Sequence, residues 1–364
     1  MSLHCPTTSD ADGQDAMLPP SYDEIYGDQK EDGQRREDNS FQTSSVTRTT
    51  TDQTAEVCRT SLPCVAQFGQ YAEPGSRPQQ GWFNNPTRIS VKEHPEAPLI
   101  MVTDPGGSTV QIFTAKGECL SLLTVPHVNG GCIVGSRTSP LLLLAVRTSV
   151  FVYELDGRMV KEIPLSGRSQ DAAVLTTVPY GERGFVAVRP RSLSICRGGI
   201  SRPAVVHTLA GRYRVDRGTT PFVNVVDVAV EPRRRHLVVL DAAAPSVSNH
   251  RTAVYVMSED GGVLSAIRPG RDPRCGPLLR PSGVAVDHGG RVMVSDGDRL
   301  VQFDGLYGAT LIGDDHSSEQ QPERHTSVEL RGIAVANYAG PQTIAFTILT
   351  GEKFAQIRGF LLQS

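Results

Sequence analysis

The stretch "RPSGVAVDHGGRVMVSDGDRLVQFD" (residues 280–304) holds three short apolar runs, VAV, RVMVSD and RLVQFD, separated by Gly, Asp and Arg. Alternating or briefly continuous apolar residues bounded by turn formers are the pattern of adjacent antiparallel strands. The same order of elements recurs along the chain. "PTRISV" (86–91), "LIMVTD" (99–104) and "TVQIFTAKG" (109–117) make a first copy. "LLLLAV" with "SVFVYELDG" (141–157), then "GFVAV" with "SLSIC" (184–196), make two degenerate copies. "VVDVAV", "HLVVLD" and "AVYVMSEDGG" (225–262) are the fourth, the opening stretch the fifth, and "LRGIAV", "TIAFTI" and "EKFAQIRG" (330–359) the sixth. With Ile89, Ile133, Ala173, Val228, Val284 and Ile333 as equivalent positions, the copies are spaced 40 to 56 residues apart. That is the period of a β-propeller blade with loop insertions. An all-β, six-bladed propeller is expected.

Two of the copies carry a finer signature. "FGQYAEPGSRPQQGWFNNPTRISV" (68–91) and "LLRPSGVAVDHGGRVMVSDGDRLVQFD" (278–304) resemble NHL repeats: a Gly- and Phe-rich lead, a first strand entered through Pro, a second strand ending in Asp, and an Arg-led third strand ending near Phe-Asp. The likeness is to the NHL domain of TRIM-NHL proteins. It runs from about Val65 to the C-terminus and is weakest in the second and third copies. In the fifth copy Asp296 and Arg299 occupy the repeat's Asp and Arg positions, which implies a scaffold ion pair. The last copy stops after its third strand. "CVAQFG" (64–69), just upstream of the first copy, resembles the strand that ends an NHL unit and is expected to complete the sixth blade, closing the ring and leaving no long edge unpaired.

The first 63 residues have a different composition. They are rich in Ser, Thr, Asp, Glu and Gln with few aliphatic residues, and such a segment cannot bury enough apolar surface to offset its ordering entropy. A disordered acidic tail over residues 1–63 and a propeller over 64–364 are expected. Residues 1–64 carry five Lys or Arg against twelve Asp or Glu, so the remaining chain is mildly basic, and all but four of its 31 basic residues are arginine. Arginine pairs bidentately with phosphate and stacks on rings. Seven cysteines, Cys5, Cys58, Cys64, Cys119, Cys132, Cys196 and Cys275, are odd in number and lack CxxC spacing, against a disulfide framework or a zinc ribbon. With no signal-like N-terminus and no long apolar stretch, a cytoplasmic protein is expected.

No GxSxG, P-loop, HExxH or Cys/His metal spacing is present, so no catalytic residues, metal or cofactor are assigned and a non-enzymatic adaptor is expected. Asn84, Asn129, Asp171 and Asn224, near the starts of successive inner strands, keep open an alternative: a propeller hydrolase or lactonase with an axial calcium. Loops entering each inner strand share one face, the upper, with the turns joining second to third strands. Arg88, Arg189, Arg191, Arg212, Tyr213, Arg214, Arg217, Arg280, Arg299 and Arg331 are the candidates there for binding single-stranded RNA, through phosphate pairing and base stacking. Tyr213 and Phe222 supply rings, as do Trp82 and Phe83 in the first entry loop. The NHL resemblance implies RNA and protein partners alike, so a purely protein-binding scaffold in a ubiquitin pathway stays open. The RING, B-box and coiled coil of TRIM-NHL proteins are missing from this sequence. In the tail, Pro19, Pro20 and Tyr22 form a PPxY motif, able to dock a polyproline II turn in a WW domain such as those of HECT-type ubiquitin ligases.

Overall fold

The computed structural model describes residues 60–92, 98–136, 138–165, 173–181, 184–197, 204–210, 213–215, 218–220, 222, 224–242, 252–268, 278–303, 309–313, 329–338 and 342–362. The blades belong to one compact unit, Gln53–Val215 with Thr219–Ser364. Its secondary structure is all β among the described residues: six sheets of four or five strands, their meanders antiparallel, follow one another along the chain as the blades of a propeller, beside two short two-stranded sheets. Among the described residues no helix is long and apolar enough to cross a membrane.

Each blade is a meander. In blade I the strands Arg88–Lys92, Leu99–Asp104, Thr109–Thr114 and Cys119–Thr124 pair in order from the axis outward. The inner strands of blades II to VI are Val128–Gly135, Thr176–Tyr180, Val225–Val230, Pro281–Val286 and Glu329–Tyr338. Second strands are almost wholly buried: Leu99–Asp104, Gly184–Arg189, Leu237–Asp241 and Val292–Asp296 have no exposed position. Both their faces pack against neighbouring blades, which is why they read as continuous apolar runs. Outer strands are more exposed and can alternate, as Val263–Ile267 does, because one face meets water.

The core is divided in the same way. Six apolar clusters each fill the gap between two adjacent blades, for example Val186 and Leu193 of blade III with Val228 and Val239 of blade IV. The cluster joining blades VI and I contains Phe346, Ile357, Phe83 and Phe113, and it closes the ring. Each fully buried Phe contributes roughly 1.5–3 kcal/mol. Covalent order closes it too: Cys64–Phe68 pairs antiparallel with Phe354–Leu362 as the outer strand of blade VI, with Cys64 opposite Phe360 and Phe68 opposite Ile357. Just before it, Thr60–Ser61 adds a short parallel fifth strand to blade V beside Ala309–Gly313. At the axis, a Cβ on Gly283 would stand 2.7 Å from the Cα of Gly332, so inner strands V and VI touch through bare backbone.

One equivalence does not hold. Ala173 lies outside the inner strand of blade III, which begins at Thr176. That strand, TTVPY, hides its role behind polar residues; the Thr177 hydroxyl is satisfied by donating to the Leu143 carbonyl of blade II at 2.8 Å.

Candidate functional site

The upper face is organised by one repeated device. In blades I, IV and V the second strand ends in a buried aspartate, Asp104, Asp241 or Asp296. Its carboxylate accepts backbone N–H groups from the loop that enters the same blade's inner strand. Asp104 takes those of Asn84 at 2.6 Å and Asn85 at 2.8 Å, together with Gly107 at 3.0 Å. Asp241 takes that of Asn224 at 2.8 Å. Asp296 takes Leu279 at 2.8 Å and Arg280 at 2.6 Å through one oxygen, while its other receives the Arg299 fork, Nε at 2.9 Å and Nη2 at 2.8 Å. The Asp296–Arg299 pair read from the repeat is present. Blade II ends its second strand at Val146 and blade III at Arg189, so this clamp is absent from both.

On the axis, a channel cavity of about 190 Å³ is lined by the inner strands of all six blades. Its upper end is crossed by one side chain. Arg88 leaves blade I, reaches blade IV opposite, and places Nη1 3.2 Å from the Asp227 carboxylate. The guanidinium also donates to the Val226 carbonyl and, at 3.2 Å, to that of Ser282 in blade V. Asp227 is fixed from its other side by the Val284 N–H at 3.0 Å. Burial pushes the Asp227 carboxyl above the usual carboxylate range, while the Arg88 charge and backbone donors pull it back. Arg88 is therefore part of the channel and not of the upper surface: an inward strand position beside an opposing carboxylate outweighs solvation of the cation.

The other arginines separate into two sectors. Arg189, expected at the surface, is buried, donating to the Leu165 carbonyl at 3.0 Å and to the Ser194 hydroxyl at 3.1 Å, and burial lowers its pKa. It stands at the strand end where other blades have aspartate. Over blades V and VI three arginines are matched internally, Arg299 by Asp296, Arg280 by Glu329 at 2.5 Å, and Arg331 by Glu329 at 3.4 Å and the Asn85 side-chain carbonyl at 2.5 Å, while Arg77 in the loop entering blade I and Lys353 in the upper turn of blade VI are exposed with no side-chain hydrogen bond or ion pair among the described residues. Over blades II and III, Arg147 and Arg191 occupy adjacent upper turns, both exposed, their side chains with no hydrogen-bond or ion-pair partner among the described residues. Arg212 and Arg217 lie outside the described residues. Tyr213 and Arg214 fall in a short strand, Tyr213–Val215, whose side chains are likewise outside them.

The aromatic candidates are divided by packing. Phe83 is fully buried with its ring centroid 5.9 Å from that of Phe113, and Phe222 is buried between blades III and IV, so neither offers a ring to a ligand. Trp82 stays 40% exposed on the upper face. The asparagines proposed for an axial ion act elsewhere: Asn84 and Asn224 are held by their backbones in the aspartate clamps, and the Asn129 side chain donates to the Val174 carbonyl at 3.0 Å. Asp171, Pro19, Pro20 and Tyr22 lie outside the described residues. Among the described residues no group of three His, Cys, Asp or Glu is placed to hold a metal ion.

Comparison with solved structures agrees on the fold. The chain is similar to a luciferin-regenerating enzyme at a TM-score of 0.51 and 9% identity, over 76% of this chain and 92% of that one. A virginiamycin B lyase from Staphylococcus aureus matches at 0.47 and 12%, over 77% and 82%. A gluconolactonase from Xanthomonas campestris matches at 0.43 and 14%, over 77% and 87%. At such identities the likeness is one of fold, a propeller, and reaches no activity. No family model matches the sequence, and no curated protein does. The NHL resemblance thus remains a reading of the repeat residues.

Proposed function

We propose that this chain is a non-enzymatic binding propeller whose upper face takes single-stranded RNA over blades II to IV. The carrying observation is a pair of cations: Arg147 and Arg191 stand exposed on neighbouring turns without a side-chain partner among the described residues, whereas Arg280, Arg299 and Arg331 of blades V and VI are paired with Asp296 and Glu329. The loop bearing Arg212, Arg214 and Arg217 follows blade III in the sequence. Against a channel hydrolase stands the Arg88 guanidinium, a fixed cation paired with Asp227 at the upper axis. The proposed tail function is separate: Pro19, Pro20 and Tyr22 recruit a WW-domain protein, with the propeller supplying the cargo.

The test is equilibrium binding of a random single-stranded RNA pool across salt concentrations. Phosphate pairing makes affinity fall steeply with salt, and Arg147→Glu with Arg191→Glu should weaken binding without lowering the melting temperature. Arg280→Glu should matter less. Absence of binding at low salt removes the RNA reading. A protein-binding scaffold then stands in front, favoured by Leu279, 71% exposed, and Trp82, 40% exposed, on the same face. Separately, a peptide spanning residues 12–30 should bind WW domains and lose that binding on Tyr22→Ala.

A further inference from the structure

The lower face carries a second cavity, of about 680 Å³, at the mouth of the channel between blades III and IV. Pro179, Val230 and Pro232 give it apolar walls, and its charged lining is Lys92, Arg197, Arg235 and Glu231. Lys92 ends the strand that begins with Arg88, so both ends of that strand present a cation toward blade IV. At the upper end the cation meets Asp227. At the lower end it meets the turn after Val225–Val230, where Arg235 projects into the same cavity. Neither the Lys92 ammonium nor the Arg235 guanidinium has a hydrogen bond or ion pair among the described residues.

The acids nearby are engaged otherwise. Glu231 uses Oε2 to accept the Arg234 N–H at 2.8 Å. Glu259 is bound by Arg197 and by the Tyr180 hydroxyl, with the Arg197 guanidinium 5.4 Å above the Tyr180 ring. Arg235 adopts a left-handed φ of 60°, and Gly181, itself at φ 65°, leaves its Cβ position 3.8 Å from the Arg235 guanidinium carbon.

We propose that this cavity binds a small organic phosphate, its anion bridging Lys92 and Arg235 and its apolar body lying on Pro179, Val230 and Pro232. Lys92 and Arg235, from different blades, line this cavity without an ion pair among the described residues, and with Arg197 they outnumber its one lining acid, Glu231, which favours an anionic group; the walls favour an attached hydrocarbon, and the volume lies in the range of small-molecule sites. This site is on the face opposite the RNA sector and does not depend on it.

The experiment is calorimetric titration of the full chain with phenyl phosphate, with phenol and inorganic phosphate as comparison probes. Phenyl phosphate should bind saturably and more tightly than either. Arg235→Asn, which suits the left-handed backbone while removing the charge, should weaken it about tenfold or more, as should Lys92→Met. Arg147→Gln on the upper face should leave it unchanged. Should Lys92→Met lower the melting temperature, Arg235→Asn at an exposed turn decides alone. Absence of saturable binding, binding unaffected by Arg235→Asn, or equal binding of phenol overturns the proposal.

Discussion

Arg88 of blade I and Asp227 of blade IV face each other across the axis of the ring, 3.2 Å apart, in side chains 15% and 11% exposed. A strand position that would point a residue into an open channel instead ties opposite blades together. Asp227 also receives an N–H from blade V, so the pair links three of the six inner strands with the Ser282 contact of Arg88.

Removing the cation should expose the cost of the anion. Arg88→Met leaves Asp227 buried without its partner, and breaking a pair of this kind costs about 3–5 kcal/mol. The loss has a pH signature. Without Arg88 the folded-state pKa of Asp227 rises further above its unfolded value, so the folded protein takes up a proton before the unfolded chain does. The penalty is then full above that folded pKa and is relieved as pH falls through it. Denaturant unfolding at about pH 7.5 and about pH 4.5 should show the gap between wild type and variant narrowing at the lower pH. A gap independent of pH would mean that Asp227 is solvated.

The aspartate clamps should rank by what each removal leaves behind. Asp296→Ala strips the acceptor from the Leu279 and Arg280 N–H groups and from the Arg299 fork, and should cost about 3–5 kcal/mol. Arg299→Ala leaves Asp296 with both backbone donors and should cost about 1–2 kcal/mol. Thermal melts of the two single variants check the order; a larger loss from Arg299→Ala would contradict it.

The closure of the ring gives a truncation pair. Thr60–Ser61 extends blade V, Leu62 is buried between blades V and VI, and Cys64–Phe68 is the outer strand of blade VI. A chain starting at residue 60 should melt with the full chain. One starting at residue 71 should melt well below it, having lost an entire strand ladder. Equal melting of the two would separate the closing strand from stability.

Thiol chemistry should follow burial. Burial pushes the Cys132 thiol up to about 12 and that of Cys196 up to about 11, and both side chains are enclosed between blades. Neither should react with a disulfide reagent in the native state at pH 8, while exposed Cys64 should, as peptide mapping by mass spectrometry would show. Labelling of Cys132 before Cys64 would indicate local opening of blade II.

By itself the sequence determined the number of blades, their order and the closing strand. These rest on a repeat of apolar runs, and strand-by-strand burial is imposed locally by side-chain alternation and turn residues. The Asp296–Arg299 pair was legible for the same reason, being three residues apart within one turn. Where polar residues were needed inside, as in TTVPY of blade III, the period broke and the strand was misplaced, because its threonines are satisfied by a neighbouring blade. Tertiary structure alone decided which arginines stay free. Arg88 and Asp227 are 139 residues apart in the chain, and the buried fate of Arg189 depends on the carbonyl of Leu165 across a blade boundary. Whether a cation reaches solvent depends on the acceptors that folding brings to it from distant positions, and a one-dimensional pattern carries no distance between such residues. Lys92 and Arg235 share one cavity for that same reason, through strand direction in blades I and IV.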